Sequence, residues 1–395
     1  MITASHAEQS MAGWRGVAAA VYAGVVALLV VNVLPALVNV IALALKWDDR
    51  ALGLLASADV AGITLGSLLG IPIVKRRTMR AVIFGGVATL AAADVACAIA
   101  HAEVAVVGFR FIGGTASGLI LAGCYALYSY VNPQRNFAAF SIGQMVSGFV
   151  GVTALPLLTR ELGWQSAFYS LAIGTALALP LSLWLPAHSY GRGAAAISAH
   201  REGHSSGWVW AAVAGIVLYV IGEGAVWTFM ERMGMSSGIS EHDVNLAVSA
   251  CTLAGVFGAV ATMFPSRRLG VLAPLVLSAL LSVASVFVMQ TASPALFIAA
   301  LCGFTFAWLA FATVQFAVIA AADRAGTATI SMSTAWYAGF TIGPYLSGAL
   351  VDKYGFVPVQ VLGIGGVLLA LLSLLPLRPR RAPASVTDAP SRSMS

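Results

Sequence analysis

The chain has 395 residues, of which 59% are hydrophobic and 9% are charged, whereas about 25% of the residues in soluble domains are charged. This composition excludes a soluble enzyme, a nucleic-acid-binding protein, a disordered chain and a disulfide scaffold, and it predicts a polytopic membrane protein. The formal net charge of +6 at pH 7 is interpreted as an excess of Lys and Arg in cytoplasmic loops.

Apolar segments separated by short polar breaks predict twelve membrane-spanning helices, because one span needs about 20 apolar residues. Spans 1 to 6 are expected at 17–45, 51–73, 81–100, 104–131, 137–159 and 164–186. Spans 7 to 12 are expected at 208–230, 243–265, 270–291, 294–321, 327–351 and 357–377.

Two six-helix halves follow from this pattern, at 17–186 and 208–377. The polar segment 187–207 has the composition of a linker between them. The segments 1–16 and 378–395 are predicted to be tails, the second of them disordered because it is rich in Pro, Ser and Arg. Glycine and basic patterns at the end of span 2 recur at the end of span 8, which indicates a doubled unit with a substrate site between its halves.

The distribution of Lys and Arg predicts the orientation of the chain. With the N-terminus inside, the inner breaks hold fifteen of these residues and the outer breaks hold five. Such a bias predicts cytoplasmic termini and an even number of spans. The location that we expect is a bacterial inner membrane.

Ionisable residues inside the predicted spans are the strongest candidates for function, since a charge in hydrocarbon is costly. Four are found: Asp59, Asp94, Arg110 and Glu223. At 1.5 Å per residue all four are expected roughly 9–12 Å below the outer edge. We expect Arg110 to hold one of the two aspartates ionised, while burial leaves another carboxyl able to carry a proton near neutral pH. Glu223 is the candidate for a coupling proton or a cationic substrate, and the alternative for the whole set is a structural role.

Several short motifs resemble those of the major facilitator superfamily. The loop from Gly70 to Arg80 is similar to the superfamily's Gly-x4-Asp-Arg-x-Gly-Arg-Arg loop, although Val74 stands where the family has Asp. Arg110 and Gly114 resemble the Arg-x3-Gly start of span 4. Glycines and a proline in span 5 (Gly143, Gly148, Gly151 and Pro156) and in span 11 (Gly343, Pro344 and Gly348) resemble the glycine-rich helices of drug antiporters.

The resemblance implies an all-α membrane protein of two pseudo-symmetric six-helix bundles, with spans 1, 4, 7 and 10 lining the pathway and spans 5, 8 and 11 contributing to it. Span 3 mostly faces away from the cavity in that fold, which favours a structural role for Asp94. The loop residues expected to act in gating are Gly70, Lys75, Arg76 and Arg77. The residues expected to bind substrate are Asn32, Asn39, Tyr125, Tyr128, Gln144, Trp227, Trp308, Gln315, Trp336 and Tyr337.

No phosphate-cradling loop, metal motif or nucleophile motif is found in the sequence. We therefore expect a monomeric secondary transporter that is not an enzyme and needs no cofactor or metal. The expected activity is proton-coupled efflux of a small amphiphilic or aromatic molecule. The alternative within transport is proton-coupled uptake of an organic anion held by Arg110, and a membrane receptor or membrane enzyme is the alternative outside it.

Overall fold

A computed structural model describes residues 14–130, 133–185, 206–262, 272–323 and 327–377. The predicted tails lie outside these residues except for positions 14–16, and the predicted linker lies outside them except for positions 206–207. The described part of the chain is α-helical, with short 3₁₀ turns at the ends of spans 6 and 12.

The first six spans follow the predicted order. Span 1 consists of three helices, Trp14–Ala27, Leu29–Asn32 and Leu34–Leu45. Spans 2 to 5 are the helices Asp49–Arg76, Met79–Ile99, Glu103–Tyr130 and Pro133–Leu162. Span 6 comprises Gln165–Ala176, Ala178–Leu181 and the 3₁₀ turn Ser182–Trp184.

The last six spans are more regular. Spans 7 to 9 are the helices Gly207–Ser236, Glu241–Ala261 and Leu272–Val288. Spans 10 to 12 are Pro294–Ala322, Thr327–Tyr354 and Val357–Leu374, the last followed by the turn Leu375–Leu377.

Span 1 covers the predicted residues but is not one continuous helix. Leu28 and Val33 have φ near −105° with ψ of 9° and interrupt the helix. Pro35 is the second residue of the third helix, where a missing backbone N–H removes no intrahelical hydrogen bond.

Side-chain caps explain several helix starts. The Asp48 carboxylate accepts a hydrogen bond from the Ala51 backbone N–H at 2.7 Å, so span 2 begins two residues earlier than predicted. Thr78 caps span 3 and Ser240 caps span 8 in the same way. These caps satisfy N–H groups that have no partner within the first turn.

Nine helices within the described ranges are long and apolar enough to cross a membrane. The three remaining spans fall short for different reasons. Span 1 is interrupted, and span 9 is described over only 17 residues. The helix of span 11 has 28 residues but is rich in Ser, Thr, Gly and Tyr. Together they account for the twelve predicted spans.

Glycines bring helix backbones into direct contact within each half. A Cβ on Gly62 or Gly114 would collide with the backbone of the facing helix, so spans 2 and 4 pack at the closest possible distance. In the second half, Gly222 meets the Leu362 carbonyl of span 12, and Gly343 meets the Ile221 carbonyl of span 7.

The two halves meet at the end of the bundle that lies away from Trp14 and Leu377, which we call the distal end. Gly53 of span 2 and Gly348 of span 11 pack there with their Cα atoms in contact range. Arg232 Nε of span 7 donates to Asp49 Oδ1 of span 2 at 2.5 Å. The hydroxyls of Thr153 and Ser249 join spans 5 and 8 at 2.9 Å. The distal end is therefore closed in this structure.

Candidate transport site

Three of the four predicted intramembrane charges form one buried cluster inside the first half. Arg110 of span 4 donates from Nη1 to Asp94 of span 3 and from Nη2 to Asp59 of span 2. The side chains of all three are at most 4% exposed. One guanidinium thus faces two carboxyl groups, and its planar shape suits this double contact.

The structure resolves the open question of which aspartate pairs with Arg110, because both do. Asp94 is therefore part of the buried ion-pair cluster, an arrangement compatible with the structural role expected for it. Both terminal nitrogen atoms of Arg110 are hydrogen-bonded to the two aspartates. Arg110 is not among the residues that line the cavity between the halves, which is described below. It is therefore not placed to hold an organic anion.

Span 7 continues to Ser236, six residues beyond its predicted end at 230. The Arg232–Asp49 ion pair relates the depth of span 7 to that of span 2. Asp59 lies ten residues below Asp49, and Glu223 lies nine residues below Arg232 at a similar level. Glu223 belongs to the second half, and no ion pair among the described residues includes it.

The Glu223 carboxyl is fully buried, and neither of its oxygen atoms has a hydrogen-bond partner in the described part of the chain. The hydroxyls of Tyr219 and Ser282 face it. Tyr219 itself donates to the Trp308 carbonyl at 3.0 Å. A lone carboxylate in such surroundings is very costly.

A central cavity of about 100 Å³ lies between the halves, near the middle of the bundle. Its walls come from spans 1, 5, 7, 8 and 10, and no lining residue carries a formal charge. The lining residues are Val31, Asn32, Gln144, Met145, Gly148, Trp227, Cys251, Thr252, Gly255, Thr305, Trp308 and Leu309.

Two amides form the polar side of the central cavity. Asn32 Nδ2 donates to the Gln144 Oε1 atom, and Gln144 Nε2 donates to the Gly24 carbonyl at 3.2 Å. The Asn32 amide also lies 3.3 Å from the Ser147 hydroxyl. This chain of donors and acceptors connects spans 1 and 5 and fixes the amides at the cavity wall.

Tryptophans form the opposite side of the central cavity. Trp227 and Trp308 meet edge to face with ring centroids 5.6 Å apart. Trp336 stacks behind Trp308 at 6.2 Å with an angle of 11° between the rings. Trp227 Nε1 donates to the Val31 carbonyl at 3.0 Å, whereas the buried Trp308 Nε1 has no hydrogen-bond partner among the residues that the structure describes.

Six of the ten residues expected to bind substrate do not line the central cavity, and Trp336, behind Trp308, is one of them. Tyr128 is buried and donates to the Ala20 carbonyl at 2.7 Å, and Tyr125 packs against it and faces Tyr337 of span 11. Gln315 is buried in span 10 with both polar side-chain atoms unpaired. Asn39 lies nearer the distal end, beside Glu231.

Most of the predicted gating loop is helical, because the helix of span 2 continues to Arg76 and includes Gly70 and Lys75. Gly70 packs against Ala122 of span 4, so its lack of a side chain serves close helix packing. Arg76 and Arg77 are exposed, and the Lys75 side chain lies outside the described residues. Val74, at the family's Asp position, is buried. It provides no carboxylate for a latch between the halves.

Glu231 is a buried carboxyl that sequence reasoning missed. Ending span 7 at 230 placed this residue in a loop, but the helix continues and buries it. Sequence reasoning also missed Thr252 and Thr305, which line the central cavity. The signal for Glu231 was available, because the segment 231–236 has no proline and Met233 and Met235 continue the apolar character of span 7.

Comparisons with solved structures confirm the fold. Nucleoside transporter NupG aligns with a TM-score of 0.71 at 13% identity, covering 92% of this chain and 98% of that one. A D-xylose-proton symporter aligns with a TM-score of 0.72 at 16% identity, covering 93% and 98%.

Curated relatives match over a shorter part of the chain. A gallate transporter of Pseudomonas putida is 27% identical over 143 residues, which are 34% of this chain and 31% of the relative. A 4-hydroxybenzoate transporter of the same organism, PcaK, is 29% identical over 159 residues, which are 37% and 34%. The match therefore spans about a third of the length of these relatives.

The sequence model of the Major Facilitator Superfamily matches residues 19–344 and 212–393, which together include both halves. This match agrees with the twelve helices and with the resemblance of the loop after span 2. The chain is an integral membrane transporter and belongs to the Major Facilitator Superfamily.

Proposed function

We propose that this chain transports a small aromatic acid across the membrane by alternating access, with the central cavity as the binding site. The observation that carries the proposal is the pairing of an indole wall, Trp227 and Trp308, with the amides of Asn32 and Gln144. An apolar pocket with a few fixed polar groups is the usual form of a small-molecule site.

The substrate class follows from the chemistry of the two cavity walls. An aromatic ring can stack on Trp308, whose own orientation is held by Trp336. A carboxyl or hydroxyl group on that ring can meet the unpaired Trp308 Nε1 and the amide of Asn32. Gallate and 4-hydroxybenzoate, named for the relatives, combine these groups on one ring.

Coupling to protons follows from the absence of charge in the described cavity lining. An anion that enters a cavity without a cation must be compensated, and a proton that travels with it provides the compensation. We assign that proton to Glu223, because its carboxyl is buried alone and its neighbour Tyr219 is bonded to the Trp308 backbone.

Uptake by proton symport is the direction that we propose, with the distal end facing outward as the basic residues of the loops indicate. The argument for efflux was the glycine content of spans 5 and 11. These glycines serve packing here: Gly143 and Gly151 contact Val25 and Val33, and Gly348 contacts the Asp49 carbonyl. Efflux by antiport is the competing outcome of the test. A monomer in a bacterial inner membrane remains our expectation.

Radiolabelled 4-hydroxybenzoate uptake into proteoliposomes tests the binding site. Trp308→Ala removes the stacking surface and should raise the substrate KM about tenfold or more, since an aromatic contact contributes about 1 kcal/mol beyond its buried area. Trp210→Ala, a tryptophan 43% exposed on the bundle surface, is the matched control and should leave KM unchanged. Equal KM values for both variants would exclude the central cavity as the site.

A further inference from the structure

A second buried carboxyl, Glu231, lies near the distal end of span 7 and has no part in the transport cycle described above. It is 1% exposed, and neither of its oxygen atoms has a hydrogen-bond partner in the described part of the chain. The adjacent Arg232 does not compensate it, because its Nε donates to Asp49 of span 2. Glu231 is therefore a buried acid without a counter-ion.

The groups that face Glu231 come from three helices. Asn39 of span 1 presents its amide without closing a hydrogen bond, and Glu241 at the start of span 8 adds a like charge. Cys251 of span 8 is the remaining titratable neighbour and is buried as an uncharged thiol. Burial without a cation and the nearby charge of Glu241 make a carboxylate at Glu231 costly, and the Asn39 amide offsets only part of that cost.

The burial of Glu231 depends on contact between the two halves. Asn39 belongs to the first half and Glu231 to the second, and spans 1 and 7 pack together at this level. The same closure includes the Asp49–Arg232 pair and the Asp49 backbone N–H, which donates to Asp352 of span 11 at 3.3 Å. Separation of the halves at the distal end would remove span 1 and expose Glu231 to water.

We infer that Glu231 is a proton-operated switch of the distal closure. The two halves are in contact at the distal end when the Glu231 carboxyl is protonated, and their separation releases that proton to the distal solvent. The inference rests on the alternating access proposed above, but not on the substrate or on Glu223. Opening and ionisation are linked, because the carboxylate is tolerated only when the halves are apart. Low pH on the distal side therefore favours the closed state, and high pH favours the open one.

The distance between spin labels on the two halves measures this closure directly. Labels at Lys46→Cys and Ser236→Cys, in a background with the four native cysteines replaced, report the separation of spans 1 and 7 in liposomes. We expect the population of separated ends to rise between about pH 5 and pH 9, by up to about tenfold per pH unit once the carboxyl ionises.

The side chain in Glu231→Gln is always neutral, so the distal end of this variant should stay closed. The distance between its two spin labels should therefore not respond to pH. Glu161→Gln, an exposed acid at the same end, and His242→Gln, an exposed histidine in the first turn of span 8, should keep the native response. A pH response retained by Glu231→Gln, or missing from the protein with Glu231 intact, would overturn the inference. Loss of 4-hydroxybenzoate transport with the distance response intact would count against the substrate and support the switch.

Discussion

Two buried acids of the first half, Asp59 and Asp94, differ from two buried acids of the second half, Glu223 and Glu231, in the presence of a cation. Asp59 and Asp94 share Arg110, while Glu223 and Glu231 have no ion partner among the described residues. The first group forms a nearly fixed charge cluster. The second group must be neutral whenever it is buried, so its protonation follows the conformation of the protein.

Position within the fold supports this division. The Asp59–Arg110–Asp94 cluster ties spans 2, 3 and 4 together inside one half. Glu223 is connected through Tyr219 to the Trp308 backbone at the cavity wall, and Glu231 faces the other half. We infer that the cluster stabilises the first half, whereas the lone carboxyls take part in the transport cycle.

Removal of the cation should have the largest effect on stability. Arg110→Met leaves two carboxyl groups buried without compensation, and breaking such a pair typically costs about 3–5 kcal/mol. Thermal unfolding of the purified protein in detergent should show a large drop in midpoint, or the protein should fail to accumulate.

Arg50→Met is the control, because Arg50 is exposed at the start of span 2. A midpoint for Arg110→Met within experimental error of that control would contradict the assignment of the cluster as a structural element.

Removal of one of the two shared acids should have a smaller effect. Asp94→Asn leaves Arg110 paired with Asp59 and keeps a carbonyl oxygen near Nη1, so the loss should be about 1–2 kcal/mol. The same unfolding measurement tests it. A loss as large as that of Arg110→Met would show that both acids are ionised and that the cluster carries net negative charge.

Neutralisation of a lone carboxyl should have the smallest effect on stability. Glu223→Gln replaces a protonated carboxyl with a neutral group of the same shape, and the free energy of unfolding should change by less than about 1 kcal/mol. Glu103→Gln, on an exposed acid at the start of span 4, is the reference. Destabilisation of several kcal/mol would mean that Glu223 is ionised and has a partner.

Helix number, order and approximate limits could be predicted from the sequence, because apolar segments and polar breaks alternate clearly along the chain. The Asp59–Arg110–Asp94 cluster could be predicted in part, because Asp and Arg residues are rare inside membrane spans and usually pair with one another there. The double contact of Arg110 could not, because it depends on the rotation of spans 2, 3 and 4 about their axes.

Errors in helix ends had larger consequences than errors in helix number. Placing the end of span 7 at 230 instead of Ser236 left Glu231 outside the predicted helix. The cavity lining was also out of reach, because Thr252 and Thr305 are ordinary helix residues in the sequence. Only the packing of spans 8 and 10 brings them to the cavity.

Proton movement driven by substrate tests the central claim most directly. Proteoliposomes with a pH dye inside are given 4-hydroxybenzoate outside, and empty liposomes correct for passive entry of the acid. A symporter that uses Glu223 should acidify the interior, and Glu223→Gln should abolish this signal while substrate exchange across the membrane continues. Acidification of equal size with Glu223→Gln, or alkalinisation with the native protein, would contradict the account.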